Sequence, residues 1–203
     1  MKITAEEALT RLLRTPREFL NYYPIRIWGS RLRGSSEYVI KDSEQASRRP
    51  GAILGTLRTH ETQLFTMKPI NTSPDGYSFN AHSIKMFQMN RPDKVEVYNL
   101  NGTGPEIMVT GQLSGCSFAI SINRSNNSLD VVHIQPDANG GVILQSTLER
   151  ISSWDIVYGR RNYSEQEAVS IVGVRIGVDW QIYAQKQNRQ SEDYRVKQVS
   201  RLI

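Results

Sequence analysis

The one cysteine of this 203-residue chain, Cys116, closes the string Val109-Thr110-Gly111-Gln112-Leu113-Ser114-Gly115-Cys116, and His133 lies on what reads as the next strand. A thiol, an imidazole and a threonine oxygen are the parts of a nucleophile, a base and a group that orients the base. The thiolate is the attacking form, and a neighbouring imidazole generates it by taking the thiol proton or by stabilising the ion pair. Gly115 leaves open space beside the sulfur, and Ser114 and Ser117 shape the loop around it. The backbone N–H groups of Cys116 or Ser117 are candidate oxyanion donors. Thr110 ends the apolar run Ile107-Met108-Val109, and its hydroxyl or carbonyl is the candidate acceptor for the second ring nitrogen of His133.

These residues can meet only if a hairpin brings them together. Phe118, Ile120 and Ile122 alternate with Ser117, Ala119 and Ser121, the period of a half-buried strand, and Cys116 shares the parity of the apolar set. Asn123-Arg124-Ser125-Asn126-Asn127-Ser128 is a run of turn formers, after which Leu129 to Gln135 resumes an extended pattern. Placing Leu129 and Val131 over the face of Phe118, Ile120 and Ile122 puts His133 on the face of Cys116. With a four-residue loop the two fall opposite each other, Cβ atoms about 5 Å apart; a slide of two residues leaves them diagonal and still within imidazole reach.

The remaining elements must supply the frame. Thr4 and Glu7 read as a capping box ahead of a helix whose stripe is Ala5, Ala8, Leu9, Leu12 and Leu13, and Thr15-Pro16-Arg17-Glu18 starts a second helix that Pro24 stops. Ile25 to Trp28, Tyr38 to Ile40 and Val95 to Tyr98 alternate as strands between Gly- and Pro-bearing turns. Polar residues from Arg33 to Pro50 read as a mobile surface loop. Asn139-Gly140-Gly141 reads as a turn, Ser146 to Ile151 as a short helix and Ile156 to Tyr158 as extended. Ser164 to Glu167 resembles a capping box, Ile171 to Arg175 and Trp180 to Tyr183 read as paired strands around Gly177, and Tyr194 to Ile203 fits strand or helix. The expectation is an α+β fold, a mixed β-sandwich or sheet core flanked by helices, in a single domain over 1–203.

Composition narrows the function classes. A single cysteine excludes intrachain disulfides and cysteine-rich zinc sites, and His60, His82 and His133 lie too far apart in sequence to suggest a metal, so none is expected. The net charge of +5 includes local clusters at Arg26, Arg31, Arg33, Arg48, Arg49, Arg160 and Arg161. No nucleic-acid-binding motif accompanies them, so they read as a solvated surface or as a face for an acidic protein partner or an RNA-bound partner, and no direct nucleic-acid binding is expected. No run approaches a membrane span, and the first residues lack the basic start and apolar core of a secretory signal. His60, His82 and the three tryptophans, Trp28, Trp154 and Trp180, read as packing residues.

Val-Thr-Gly-x-Leu-Ser-Gly-Cys followed by a histidine on the next strand resembles the catalytic core of the glutamine deamidase toxins, the Burkholderia lethal factor and, more distantly, the cytotoxic necrotizing factor catalytic domain. The resemblance implies that Cys116 is the nucleophile, His133 its partner and Thr110 the third member of the triad, in that family's deamidase fold. The interval from Cys116 to His133 is longer than the family's, so the hairpin must absorb extra residues. The implied activity is that of a protein-glutamine glutaminase, a toxin needing no cofactor and acting as a monomer in the host cytosol. The implied target is a DEAD-box translation-initiation RNA helicase, whose modification arrests protein synthesis; the necrotizing-factor branch implies Rho-family GTPases instead, with transglutamination where an amine outcompetes water. Two other classes use the same residues differently: a cysteine protease with the same dyad, and a β-rich binding module with an inert thiol.

Overall fold

A computed structural model describes residues 2–29, 34–43, 63–89, 95–138, 140–151, 153–188 and 195–203. Over them the chain forms three helices, α1 (Ala5–Arg14), α2 (Pro16–Tyr22) and α3 (Gly141–Arg150), and two sheets. Strands β1 (Ile25–Ile27), β2 (Gly34–Asp42), β3 (Phe65–Pro69), β4 (Tyr77–Ile84), β7 (Ile107–Thr110), β11 (Glu167–Ile176), β12 (Asp179–Asn188) and β13 (Val196–Arg201) make the larger sheet, in the order β1-β3-β2-β4-β7-β11-β12-β13. Strands β5 (Met86–Gln88), β8 (Ser117–Asn123), β9 (Ser128–Gln135) and β10 (Ile156–Tyr158) make the smaller one, in the order β10-β8-β9-β5, and β6 (Tyr98–Leu100) also pairs with β9. The protein is α+β and mainly β.

Three apolar clusters define the layers. Ala8, Leu9 and Leu12 of α1 and Phe19 and Leu20 of α2 bury against Ile40, Phe65 and Val172 on one face of the larger sheet. Its other face meets the smaller sheet through Met108, Ile171 and Ile182 against Phe118, Ile120 and Val131. Leu144 and Leu148 of α3 close the outer face of the smaller sheet over Ala119, Val132 and Ile134. A leucine side chain moved from water into such a layer contributes about 2 kcal/mol. Both sheets are therefore covered on their inner and outer faces, which is why their central strands carry apolar residues of both parities.

Local chemistry explains the element ends. Thr4 Oγ1 accepts the Glu7 N–H at 3.1 Å, whereas the Glu7 carboxylate pairs with Arg11 at 2.6 Å, so only half of the expected capping box forms. Gln185, buried on β12, donates to Leu20 O and Tyr23 O and accepts the Ile25 N–H at 2.8 Å, fastening the corner between α2 and β1. Among the described residues no helix is long and apolar enough to cross a membrane.

Several expectations shift. The stretch read as a loop from Arg33 runs as strand from Gly34 to Asp42, because β3 and β4 flank it and satisfy its backbone on both edges despite its polar start. The rest of that stretch, with His60 and Arg31, Arg33, Arg48 and Arg49, lies outside the described residues. The strand read over Val95 to Tyr98 instead spans Tyr98–Leu100, where register with Leu129 to Val131 holds it. The helix read from Ser146 begins at Gly141, inside the segment read as a turn. No helix follows Ser164: its N–H is accepted by Glu167 Oε2 at 2.7 Å, closing a turn into β11, whose hairpin with β12 is longer than the two strands read around Gly177. The carboxyl-terminal segment is strand β13.

Candidate active site

The hairpin of β8 and β9 sets the first relationship. Asn123 Oδ1 accepts the Ser125 N–H at 3.1 Å and Asn126 Oδ1 accepts the Ser128 N–H at 3.1 Å, and Asn127 takes φ 55, so side-chain turns place the loop at residues 124–127. The register that results pairs Phe118 with His133 and Ile120 with Val131. Cys116, two residues before Phe118, is thus diagonal to His133 on the same face rather than directly opposite.

The second relationship crosses between the sheets. Thr110, at the end of β7, and His133, on β9, are both fully buried, and Thr110 Oγ1 lies 2.7 Å from His133 Nδ1. The same hydroxyl lies 2.8 Å from Ile84 O and donates to it. A hydroxyl has one proton, so toward the ring Thr110 is an acceptor and Nδ1 carries hydrogen. His133 Nε2 is then the basic nitrogen, and among the described residues it has no hydrogen-bond partner. It is the only site on the ring that can take a proton.

The thiol is covered. Cys116 is 5% exposed and its Sγ contacts Met86 Sδ at 3.7 Å, with no hydrogen bond to His133. Met86 is the register partner of His133 on the parallel strand β5, so sulfur, thioether and imidazole occupy one corner of the smaller sheet. Burial pushes the Cys116 thiol from 9.0 to about 11, opposed by the Ser114 backbone amide. Burial likewise lowers His133 from 6.5 to about 4. The resting pair is a neutral thiol beside a neutral imidazole, so a preformed ion pair does not fit, and an imidazole held this low can take the thiol proton only as the sulfur forms a new bond.

The loop before Cys116 is clamped from one side. Gly115, at φ 137, donates its N–H to Tyr163 Oη at 2.9 Å, and that hydroxyl donates to Cys116 O at 2.7 Å. A Cβ on Gly115 would meet no atom of the described residues within 4 Å, so the backbone angle and not crowding calls for glycine there. Gly141 faces the loop so closely that a Cβ on it would lie 2.7 Å from Gly115 O. Ser114 is exposed and, with Gly115, Arg160 and Glu165, lines a polar cleft of about 560 Å³ that does not include Cys116 in its walls. Ser117 departs from the expectation for its side chain: its Oγ is buried on the opposite face, against Gly159 and Gln145, leaving only its backbone for a role in the site.

Sequence reasoning did not find Tyr163 or Met86. Tyr163 reaches Cys116 across 47 positions, and nothing in its surroundings marks it. Met86 sits on a three-residue strand too short for a periodic signal. His82 is a second buried ring, its Nδ1 2.8 Å from Tyr98 Oη and its edge against Trp180, consistent with packing. No protein-family model matches the chain, and no curated protein does so either.

Proposed function

We propose that the protein is a cysteine hydrolase acting on a carboxamide. Within that class the reading is a protein glutamine deamidase, converting a glutamine side chain of a host protein to glutamate. One observation carries the class: Thr110 fixes the His133 tautomer so that a buried Nε2, without a hydrogen-bond partner among the described residues, stands one diagonal step from the chain's single thiol. The choice of glutamine over a peptide bond rests on the Leu113-Ser114-Gly115-Cys116 motif and its resemblance to the deamidase toxins. The same resemblance favours a DEAD-box translation-initiation helicase as target, with Rho-family GTPases second.

The chemistry follows from the groups present. A glutamine side chain that displaces Met86 brings its carbonyl carbon to the sulfur, and His133 Nε2 takes the thiol proton as the C–S bond forms. The backbone N–H of Cys116 holds the oxyanion, the Ser117 N–H facing Ile134 in the β8–β9 ladder. The tetrahedral adduct collapses as Nε2–H gives its proton to the departing nitrogen, releasing ammonia and leaving a thioester. Water then attacks with His133 again as base, and collapse returns the thiol and a glutamate. The absence of a thiol–imidazole hydrogen bond at rest is compatible with this, since such contacts commonly tighten only with substrate bound.

The test is intact-mass and peptide mapping of a host-cell lysate treated with wild-type protein or Cys116→Ser. A gain of about one dalton at a glutamine, the signature of acyl transfer to water, is expected only with wild type. Backbone cleavage would assign a protease instead, and equal modification by Cys116→Ser would remove the mechanism.

A further inference from the structure

Tyr163 is not in the triad, yet its hydroxyl holds both sides of the nucleophile. It follows the short helical turn Arg160–Asn162, is 5% exposed, and its ring stacks on Tyr158 at 6.3 Å with planes 16° apart. The Arg160 guanidinium lies 5.6 Å over the ring, and Arg160 Nη1 donates to Tyr163 O at 3.0 Å. A ring packed against Tyr158 and Arg160 and held at its backbone carbonyl has little freedom to move its hydroxyl. Burial raises the phenol well above its ordinary range, so it keeps the proton it donates.

In a trans peptide the N–H points opposite to the C=O. The Tyr163 hydroxyl donates to Cys116 O at 2.7 Å, which fixes the direction of the Ser117 N–H, and it accepts the Gly115 N–H at 2.9 Å, which fixes the preceding peptide. The peptide between them has its Gly115 carbonyl against the start of α3 at Gly141. Its Cys116 N–H is therefore directed away from α3. That is the side of the apolar layer that holds Cys116, since α3 packs on the other face of the smaller sheet.

We propose that Tyr163 is a positioning residue that locks the backbone of residues 115–117 so that the Cys116 N–H is presented as the oxyanion donor. The inference rests on the deamidase reading for its natural reaction, and on geometry alone for the donor. Tyr163 acts on the transition state through the backbone, not on the sulfur, so its loss should separate two properties that a general loosening of the site would lower together.

The experiment compares wild type with Tyr163→Phe. Expected for Tyr163→Phe is a fall in deamidation kcat of about 10- to 100-fold with KM within about twofold, the pattern of a lost transition-state donor. Alkylation of Cys116 by iodoacetamide should stay within about twofold, since that reaction builds no oxyanion. An unchanged kcat overturns the proposal, and so does a parallel loss of alkylation. Should Tyr163→Phe fail to fold, 3,5-difluorotyrosine at position 163 keeps the size and makes the phenol more acidic. Its kcat should then fall at alkaline pH where wild type does not, and identical profiles overturn the proposal. If wild type deamidates no glutamine, p-nitrophenyl acetate replaces the protein substrate, its acetyl group passing to Cys116 Sγ with release of p-nitrophenolate. A burst slowed about tenfold in Tyr163→Phe with alkylation retained supports the donor independently of the glutamine reading; an unslowed burst overturns it, and no burst in wild type overturns both.

Discussion

Met86 Sδ rests 3.7 Å from Cys116 Sγ, and Met86 is itself the register partner of His133. In the proposed reaction, methionine stands where the substrate carbonyl would arrive. At 42% exposed it is open to solvent on its far side, while the thiol beneath it is nearly sealed.

Met86→Ala is expected to raise the rate of Cys116 alkylation by iodoacetamide at neutral pH about threefold or more, because reactivity requires access as well as thiolate. Mass spectrometry of the alkylated protein over time reads it. A rate equal to wild type would mean that something other than Met86 covers the sulfur.

Thr110→Val keeps the shape of the side chain and removes the acceptor for His133 Nδ1 and the donor to Ile84 O. If the proposed deamidation holds, its kcat should fall about 100-fold or more through loss of the correct tautomer, and two buried polar groups left unpaired should cost about 1–3 kcal/mol each. Thr110→Ser, which can make both bonds, should restore most of the activity. Steady-state kinetics and thermal unfolding on the two variants separate orientation from packing.

Stability should depend on pH at both ends of the range. His133 is held at about 4 against 6.5 when unfolded, so its contribution is complete above 6.5 and declines as pH falls toward 4, where the unfolded chain binds the proton first. The shift corresponds to an upper value of about 3 kcal/mol. Cys116 has the opposite sign: raised to about 11 from 9.0, it stabilises fully below 9.0 and the contribution is lost as pH rises toward 11. Urea unfolding should therefore show a plateau between these limits. In Cys116→Ala the alkaline decline should shrink while the acid one stays; an unaltered alkaline limb would show that the thiol is not buried as described.

The parity of Phe118, Ile120 and Ile122 against Leu129 and Val131 was readable because alternation on a hairpin is local, and that parity alone puts His133 and Cys116 on one face. The exact register was not, since it depends on which asparagines close the turn, and Asn123 and Asn126 do so one residue later than direct opposition requires. Thr110 was legible only as a residue type at a spacing. Its meeting with His133 depends on how two sheets stack, which no local pattern records. Gly141 was misread for a related reason: a glycine beside Gly140 signals a turn, but here it is the first residue of α3, and glycine is needed there because the carbonyl of Gly115 leaves no space for a side chain. The acidity of the thiol also escaped, because it follows from burial beneath Met86 and not from neighbours in sequence.

Thr110 belongs to the larger sheet, while His133 lies on the smaller one and Cys116 stands at its threshold. Neither sheet alone holds all three groups of the proposed centre. An intermediate with the two layers parted would retain its sulfur and its ring yet lack the oxygen that tells the ring which nitrogen to use. If the proposed reaction holds, recovery of turnover during refolding should track closure of the inner layer rather than the appearance of β-structure.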